Sequence, residues 1–323
     1  MIDVLIVSLG STAGLREADG QLAASLERAG VDVAIAQASP PRPVRTLMRT
    51  DYVWARAARA AALEAIARTN PTTIVYSTIT AALLWPRAGA IRFDSLAASN
   101  RPGRHGLWQR PLEARRLAQA SLLLPWSGSS LGDLRPRVPV GVVGICVEAS
   151  GPLESQAARD IAAITYAADP RKKGLDRILD AWRAVRGGDE ELVVVGAPRV
   201  PSMRGVRSVG LLPRAEYRAL LRRSRLYVTA PRREDYGIAQ LEALADGCVL
   251  VTAPAPGPYA ALALARILDD RLVTNDLGPA IRLALDAPPS DYAQRAARAM
   301  TSFSAERIDQ VVAGLVPMLT ASV

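Results

Sequence analysis

The sequence predicts an α/β chain built from two doubly wound parallel-sheet halves. Three observations predict this. Short β-branched apolar runs alternate with helical stretches of roughly 10 to 15 residues, the rhythm of βαβ units. The apolar runs are near-continuous instead of alternating with polar residues, as strands buried on both faces are. The 323 residues also suffice for two domains at about 150 residues each.

In the first half, Asp3–Ser8 reads as a strand, followed by the loop Gly10–Gly14 and a helix from Glu17 to Ala29. Val31–Ala36, Thr72–Ser77, Ile91–Ser95 and Leu122–Ser127 read as further strands, with longer Ala- and Arg-rich segments between them. An apolar run at Val138–Ile145 precedes the polar connector Glu148–Gln156, whose Gly151-Pro152 marks a linker near residue 150. The second half repeats the rhythm. Ile161–Ala167 is a strand, Leu175–Val185 a helix, and Leu192–Val195 a strand ending at Gly196. Ala215–Arg223 is helical, Leu226–Ala230 a strand, Ile238–Ala245 a helix and Val249–Ala253 a strand. From Asp276 the tail is mostly helical. The expected domains are 1–148, 149–302 and a C-terminal helix, 303–323, that could cross back to the first domain. Open parallel sheets bind ligands beyond the carboxyl ends of their strands, and two facing domains would add a central cleft. The strand-end loops are therefore where function should be sought.

Composition removes several classes. With 50% hydrophobic and 22% charged residues the chain is globular. Two cysteines, Cys146 and Cys248, are too few for a disulfide framework or a closed zinc site. One histidine, His105, excludes a metal centre built on several imidazoles. There is no apolar run of membrane-spanning length, and Met1-Ile2-Asp3-Val4 enters a strand with no basic leader, so a cytoplasmic protein is expected. The formal charge is +9, from 38 Arg and two Lys against 31 acids, and residues 1–150 hold 17 Arg against 11 acids. A basic first half attracts phosphate or anionic lipid. Without a basic tail or interleaved aromatics it argues against nucleic acid.

The most informative stretch runs Tyr227-Val-Thr-Ala-Pro-Arg-Arg-Glu234-Asp-Tyr236-Gly237-Ile238-Ala-Gln-Leu-Glu242-Ala-Leu-Ala-Asp-Gly247. A strand ends, a carboxylate sits in the loop, Gly237 opens a helix, and Glu242 follows within it. A helix N-terminus presents unpaired N–H groups and about half a positive charge, which suits a diphosphate. Two carboxylates would repel that group unless they accept hydrogen bonds from sugar hydroxyls. From spacing alone, a helix-capping Glu234 and a solvent-facing Glu242 fit as well. Both lysines of the chain, Lys172 and Lys173, fall in one strand-end loop beside Arg171. A compact, mobile ammonium can follow phosphate oxygens where a guanidinium fork is rigid; a solvated helix start is the plainer alternative.

These motifs resemble the retaining nucleotide-sugar glycosyltransferases of family 4, which have the two-Rossmann-domain GT-B fold. Glu234 and Glu242 with seven residues between, Gly237, Leu241-Glu242-Ala243 and Gly247 stand in the family register. Lys173-Gly174-Leu175-Asp176, Val194-Val195-Gly196, and Val209-Gly210 ahead of Tyr217 and Leu220 keep the family order over about 100 residues. The first half is similar only in outline, through Gly14 and the Leu22…Gly30-Val31 spacing. The resemblance implies a nucleoside-diphosphate sugar as donor, bound by Gly14, Arg171, Lys172, Lys173, Glu234, Tyr236, Gly237, Ile238 and Glu242. It implies Glu234 on the donor-sugar hydroxyls, Glu242 on the ribose, and Lys173 against the leaving diphosphate, so that Glu234 and Lys173 are the catalytic pair. Three positions depart from the pattern: Ala168 stands where the family usually has arginine, Ala13-Gly14 replaces a Gly-Gly turn, and Phe93-Asp94 stands where a histidine is common. Asp94 and His105 are candidates on the acceptor side, with a loop cap and a solvated imidazole as their structural alternatives.

The chain contains no Asp-x-Asp, so the resemblance is to a metal-independent hexosyltransferase needing no cofactor. Arg42, Arg45, Arg49, Arg56 and Arg59 recur at helical spacing with Leu47, Met48, Tyr52 and Trp54 among them. Such a face suits peripheral contact with an anionic membrane at its inner face, or plain solvation. The expected activity is retaining sugar transfer to a glycan, lipid-linked or small-molecule acceptor held by the first domain. A nucleotide-sugar epimerase and a silent nucleotide-binding homologue are the alternatives.

Overall fold

The computed structural model describes residues 1–101 and 103–320, without the side chain of Leu47. These form two compact units: Met1–Cys146 together with the helix Ala305–Thr320, and Val147–Ser304.

The first unit holds strands β1 (Val4–Ser8), β2 (Val33–Gln37), β3 (Thr73–Tyr76), β4 (Ala90–Phe93) and β5 (Leu123–Pro125). All pair in parallel, in the order β2-β1-β3-β4-β5. Helices α1 (Ala13–Arg28), α2 (Leu47–Thr69), α3 (Ile79–Leu83), α4 (Ala97–Asn100) and α5 (Gln109–Gln119) connect them. The two-residue period of a strand sends Val4 and Ile6 to one face, against Leu22 and Leu26 of α1. Leu5 and Val7 go to the other face, where Ala55, Ala58, Ala62 and Ala65 of α2 pack against them. Small alanines let that long helix lie close to the sheet.

α1 begins at Ala13, earlier than the sequence suggests. Thr12 Oγ1 accepts from the Leu15 N–H at 3.2 Å and caps the helix. Gly14, expected in the strand-end loop, therefore lies in the first turn of α1. The apolar run Val138–Ile145 forms no full strand; Val140 makes a single bridge to Leu123 of β5.

The second unit holds β6 (Ile161–Tyr166), β7 (Leu192–Val195), β8 (Val206–Gly210), β9 (Ser224–Thr229) and β10 (Val249–Thr252), parallel in the order β10-β9-β6-β7-β8. Its helices are α6 (Leu175–Val185), α7 (Arg214–Arg223), α8 (Ile238–Ala245), α9 (Ala260–Asp269), α10 (Leu277–Asp286) and α11 (Tyr292–Met300). β8 escapes a sequence reading because it is an edge strand with Arg207 and Ser208 exposed. The last helix, α12 (Ala305–Thr320), belongs to the first unit. Its Ile308, Val312, Leu315 and Leu319 complete the Val4–Ile6 face, and Asp309 accepts from Arg28 Nε at 2.7 Å. Among the described residues no helix is long and apolar enough to cross a membrane.

In the second sheet the winding reverses between β6 and β9, with β7 and β8 on one side and β10 on the other. That switch point is where an open parallel sheet binds ligands. The two loops leaving it abut. Gly174 has φ +65°, and a Cβ there would lie 1.9 Å from the Ala230 carbonyl oxygen. Gly174→Ala is thus expected to cost the second domain at least about 2 kcal/mol, from backbone strain and the clash together. Denaturant unfolding followed by a probe in that domain checks it; an unchanged midpoint contradicts the account.

Glu113 on α5 supplies a second test. Its carboxylate is buried and accepts the Ala97 N–H at 3.0 and 2.8 Å, capping α4. Burial pushes this carboxyl up to about 7, against the opposing pull of the Ala97 N–H, Arg101 and Arg110. The folded value exceeds the ordinary one, so folding favours the protonated form. Its contribution is full below about pH 4.5 and declines as pH rises to about 7. Glu113→Gln should flatten that part of the stability–pH curve of the first domain, measured by denaturant titration at several pH values.

Candidate functional site

The site grows from the two loops at the switch point. Ile164 of β6 is in register with Tyr227 of β9, so the strands deliver their following segments side by side. The Arg232 N–H donates to the Lys172 carbonyl at 2.9 Å, joining the loops through the backbone. Glu234 is anchored by its own N–H on the Pro256 carbonyl at 3.1 Å.

With the loops fixed, the charges pair. Lys173 Nζ lies 2.5 Å from Glu234 Oε2, and both side chains are largely buried, at 18% and 7% exposure. Gln240 Nε2, on α8, donates to the same Oε2 and to the Tyr259 hydroxyl, each at 3.2 Å. Lys172 Nζ stands 3.0 Å from Asp235 Oδ2, while Arg233 Nε donates to Oδ1 at 2.9 Å. Burial works against the Asp235 carboxylate, yet Lys172 and Arg233 outweigh it and hold the group below the usual range. Arg171 is exposed in the turn before α6, and its carbonyl accepts from Arg232 Nη1 at 2.9 Å.

Gly237 precedes α8 with φ +93°, a conformation glycine adopts freely. A Cβ there would come within 2.9 Å of the Tyr259 ring, so the helix start presses close to α9. Ile238 begins the helix, half-buried, and buried Tyr236 meets Phe303 edge-on at 6.5 Å. Glu242 follows inside α8 and is buried, which removes the solvent-facing alternative. Arg214 Nε donates to Glu242 Oε1 at 3.1 Å, and Arg218 Nη1 stands 3.7 Å from that oxygen. Burial raises this carboxyl, against the pull of Arg218 and Arg214. Each of the two glutamates therefore has its own cation set.

Sequence reasoning overlooked Arg214, Arg218, Asp246, Gln240 and Tyr259. Part of the signal was present: Arg214 and Arg218 stand one helical turn apart, as do Glu242 and Asp246. Which helix would face which could not be read from spacing.

In the first unit the candidates are less gathered. Gly14 lies in the opening turn of α1, and half-buried Asp94, just after β4, accepts from Ser95 Oγ at 3.4 Å. His105 is exposed in the turn Gly103–Gly106. The arginine stripe is corrected here. Arg42 and Arg45 precede α2, because the extended segment after β2, with its prolines, ends only at the cap Thr46. Arg49, Arg56 and Arg59 are on α2, and Arg59 Nη1 donates to the Leu84 and Trp85 carbonyls at 2.9 and 3.2 Å. Trp54 packs on the core, and the side chain of Leu47 is outside the described residues. What the helix does present is an open apolar depression of about 340 Å³, lined by Met48, Arg49, Tyr52, Leu84, Trp108 and Leu112. Leu107, which precedes the lining residue Trp108 in the chain, is 68% exposed. The nearby acids face inward: Asp51 pairs with Arg101 at 2.6 Å, and Glu113 caps α4.

Known proteins agree with this picture at the level of fold and domain. Residues 159–276 match the family model described as Glycosyl transferases group 1. A phosphatidyl-myo-inositol mannosyltransferase from Propionibacterium freudenreichii subsp. shermanii is 40% identical over 89 residues, which is 26% of this chain and 23% of that protein. The match thus spans about a quarter of that relative's length. WaaG, a glycosyltransferase involved in lipopolysaccharide biosynthesis, superposes with a TM-score of 0.72 at 12% identity, covering 99% of this chain and 100% of that one. Sucrose-phosphate synthase from Thermosynechococcus elongatus gives 0.69 at 15% identity, covering 99% of each chain. This chain has the GT-B fold of two parallel-sheet α/β domains, and its second domain carries the Glycosyl transferases group 1 match.

Proposed function

We propose that this protein is a retaining, metal-independent glycosyltransferase of the family 4 type, moving a sugar from a nucleoside diphosphate to an acceptor held by the first domain. The observation that carries this reading is the Lys173–Glu234 pair, buried at the switch point of the second sheet within the matched domain. In the reaction, the bond from the anomeric carbon to the diphosphate oxygen breaks, a bond to the acceptor oxygen forms on the same face, and the proton of the acceptor hydroxyl leaves with the diphosphate. Lys173, with Lys172 and Arg171 in the same loop, meets the negative charge left on the diphosphate. Stabilising charge where it develops is commonly the largest catalytic contribution. Glu234 accepts hydrogen bonds from donor-sugar hydroxyls, and Glu242 from the ribose. Neither the epimerase nor the silent homologue is favoured by the domain match or the related folds.

The test is incubation with a panel of nucleotide sugars, with and without EDTA, for the wild type and Lys173→Ala. Transfer or slow release of nucleoside diphosphate is expected, nearly unaffected by EDTA. Lys173→Ala should lower kcat/KM by roughly 100-fold or more, the scale of losing one preorganised charge contact. Abolition by EDTA with rescue by Mn²⁺ would sink the metal-independent mechanism. Unchanged turnover in a folded Lys173→Ala protein would remove the role of that lysine.

For the acceptor side, the reading is a lipid-linked acceptor met at an anionic membrane surface. The support is the depression beside Met48 and Tyr52, the exposed Leu107, and the arginines Arg49 and Arg56 next to it. Apolar side chains would enter the headgroup region while each arginine contributes about 1 kcal/mol near anionic lipid. The protein should pellet with anionic vesicles at low salt and detach as salt rises. Arg49→Glu/Arg56→Glu should pellet far less. Equal pelleting on neutral vesicles, or none at low salt, favours a soluble acceptor.

A further inference from the structure

Two arginines share one oxygen of Glu242, and they are held very differently. Arg214 is 45% exposed and its Nε donates to Oε1 at 3.1 Å. Arg218 is 6% exposed, and three of its bonds lead away from Glu242. Its Nε donates to Asp246 Oδ2 at 2.5 Å, and its Nη2 donates to Asp246 Oδ1 at 2.9 Å and to the Glu148 carbonyl at 2.7 Å. Asp246 is fully enclosed and also accepts from the Ser150 N–H at 2.7 Å and its hydroxyl at 2.9 Å. The Arg218 guanidinium is thereby clamped as a fork on one carboxylate, which leaves Nη1 aimed at the next, 3.7 Å away. That distance is beyond a hydrogen bond, so Arg218 acts on Glu242 through charge in a buried setting.

A carboxylate that recognises two vicinal hydroxyls must stay ionised and keep its plane. Burial raises the Glu242 carboxyl against the pull of Arg218 and Arg214, and the charge of a partly solvent-facing arginine is screened by water. Arg218 supplies what the half-exposed Arg214 does not: a buried positive charge, fixed by Asp246, beside Oε1. We propose that Arg218, locked by Asp246, is a positioning residue that holds Glu242 ionised and oriented for the ribose hydroxyls of the nucleoside diphosphate, with Arg214 as the exchangeable partner of the same oxygen. This rests on the reading of the second domain as a nucleotide-sugar site.

The experiment compares affinities by calorimetry for UDP, GDP and ADP and for their 2′-deoxy forms. The proteins are wild type, Arg218→Gln, Arg218→Lys and Asp246→Asn, with melting curves to confirm folding. Wild type should prefer the ribonucleotide by about tenfold, the usual scale for one hydrogen bond to a charged acceptor. In Arg218→Gln and Asp246→Asn that preference should shrink to within about twofold, because the deoxy form already lacks the 2′-hydroxyl bond that these substitutions weaken. Arg218→Lys restores charge without the fork and should recover part of it. A structural role alone would weaken both nucleotides equally. Variants that keep the full ribose preference overturn the positioning role, while a wild type with no preference, or no affinity for any of the three, overturns the ribose reading beneath it. Should Arg218→Gln fail to fold, the Lys and Asn variants give the same readout.

Discussion

A carboxylate taken out of water needs a cation or a donor beside it, and this requirement organises the second domain around its site. Glu234 and Glu242 are both buried, and neither is neutralised by its own segment. Glu234 takes Lys173 from the loop after β6, and Glu242 takes Arg214 and Arg218 from α7. The Lys173–Glu234 pair ties together two strand-end segments 61 residues apart in the chain, and it works only because β9 lies directly beside β6 in the sheet; the arginines tie α7, which leads into β9, to α8, which leaves it. Sheet order comes first, loop contact next, and charge pairing last. Buried ion pairs are weak arguments for stability, since desolvation offsets much of the attraction. Clustered at a switch point, they are what the proposed nucleotide-sugar site rests on.

How much of this was legible in the sequence depends on the range of the interaction involved. Elements decided locally were readable. The bounds of α6 and α8 coincide with the helical patterns Leu175–Val185 and Ile238–Ala245, each opened by a glycine in the left-handed region. Strands buried on both faces announce themselves as apolar runs, as Ile161–Tyr166 and Leu192–Val195 do. Where a local preference competes with another, the reading slips. Thr12 wins over Gly14 and starts α1 early, and prolines keep Arg42 and Arg45 out of α2. Where partners are distant in sequence, nothing marks them. Lys173 and Glu234 are 61 residues apart, and Asp246 meets Ser150 across 96.

The first domain poses the opposite electrostatic arrangement. Two of its acids, one each on α2 and α5, are drawn inward: Asp51 onto Arg101 and Gln109, Glu113 onto a backbone N–H. Arg49 and Arg56, beside the Met48–Tyr52 depression, stay exposed, while the exposed Glu64 lies further along α2 against Arg68. An Arg-rich composition alone would scatter cations evenly. The inward turn of Asp51 and Glu113 leaves the arginines beside the depression as its nearest exposed charges, the surface on which the proposed lipid-linked acceptor rests.

The division of labour between lysine and arginine makes chemical sense across the molecule. Where a cation must be immobile, the chain uses arginine as a fork: Arg218 on Asp246, Arg101 on Asp51, and Arg159 on the carbonyls of Leu221, Ser224 and Asp246. Planar, multidentate bonding fixes such groups in the interior. The loop between β6 and α6 is the one place where the chain spends its two lysines. Among the described residues, the Lys173 ammonium has one short contact, to Glu234, on a flexible stem. Such a contact can be exchanged for a phosphate oxygen without dismantling a network, whereas withdrawing Arg218 would strip Asp246 of both of its guanidinium bonds. A charge that holds a recognition group in place and a charge that must follow a departing one have different mechanical demands.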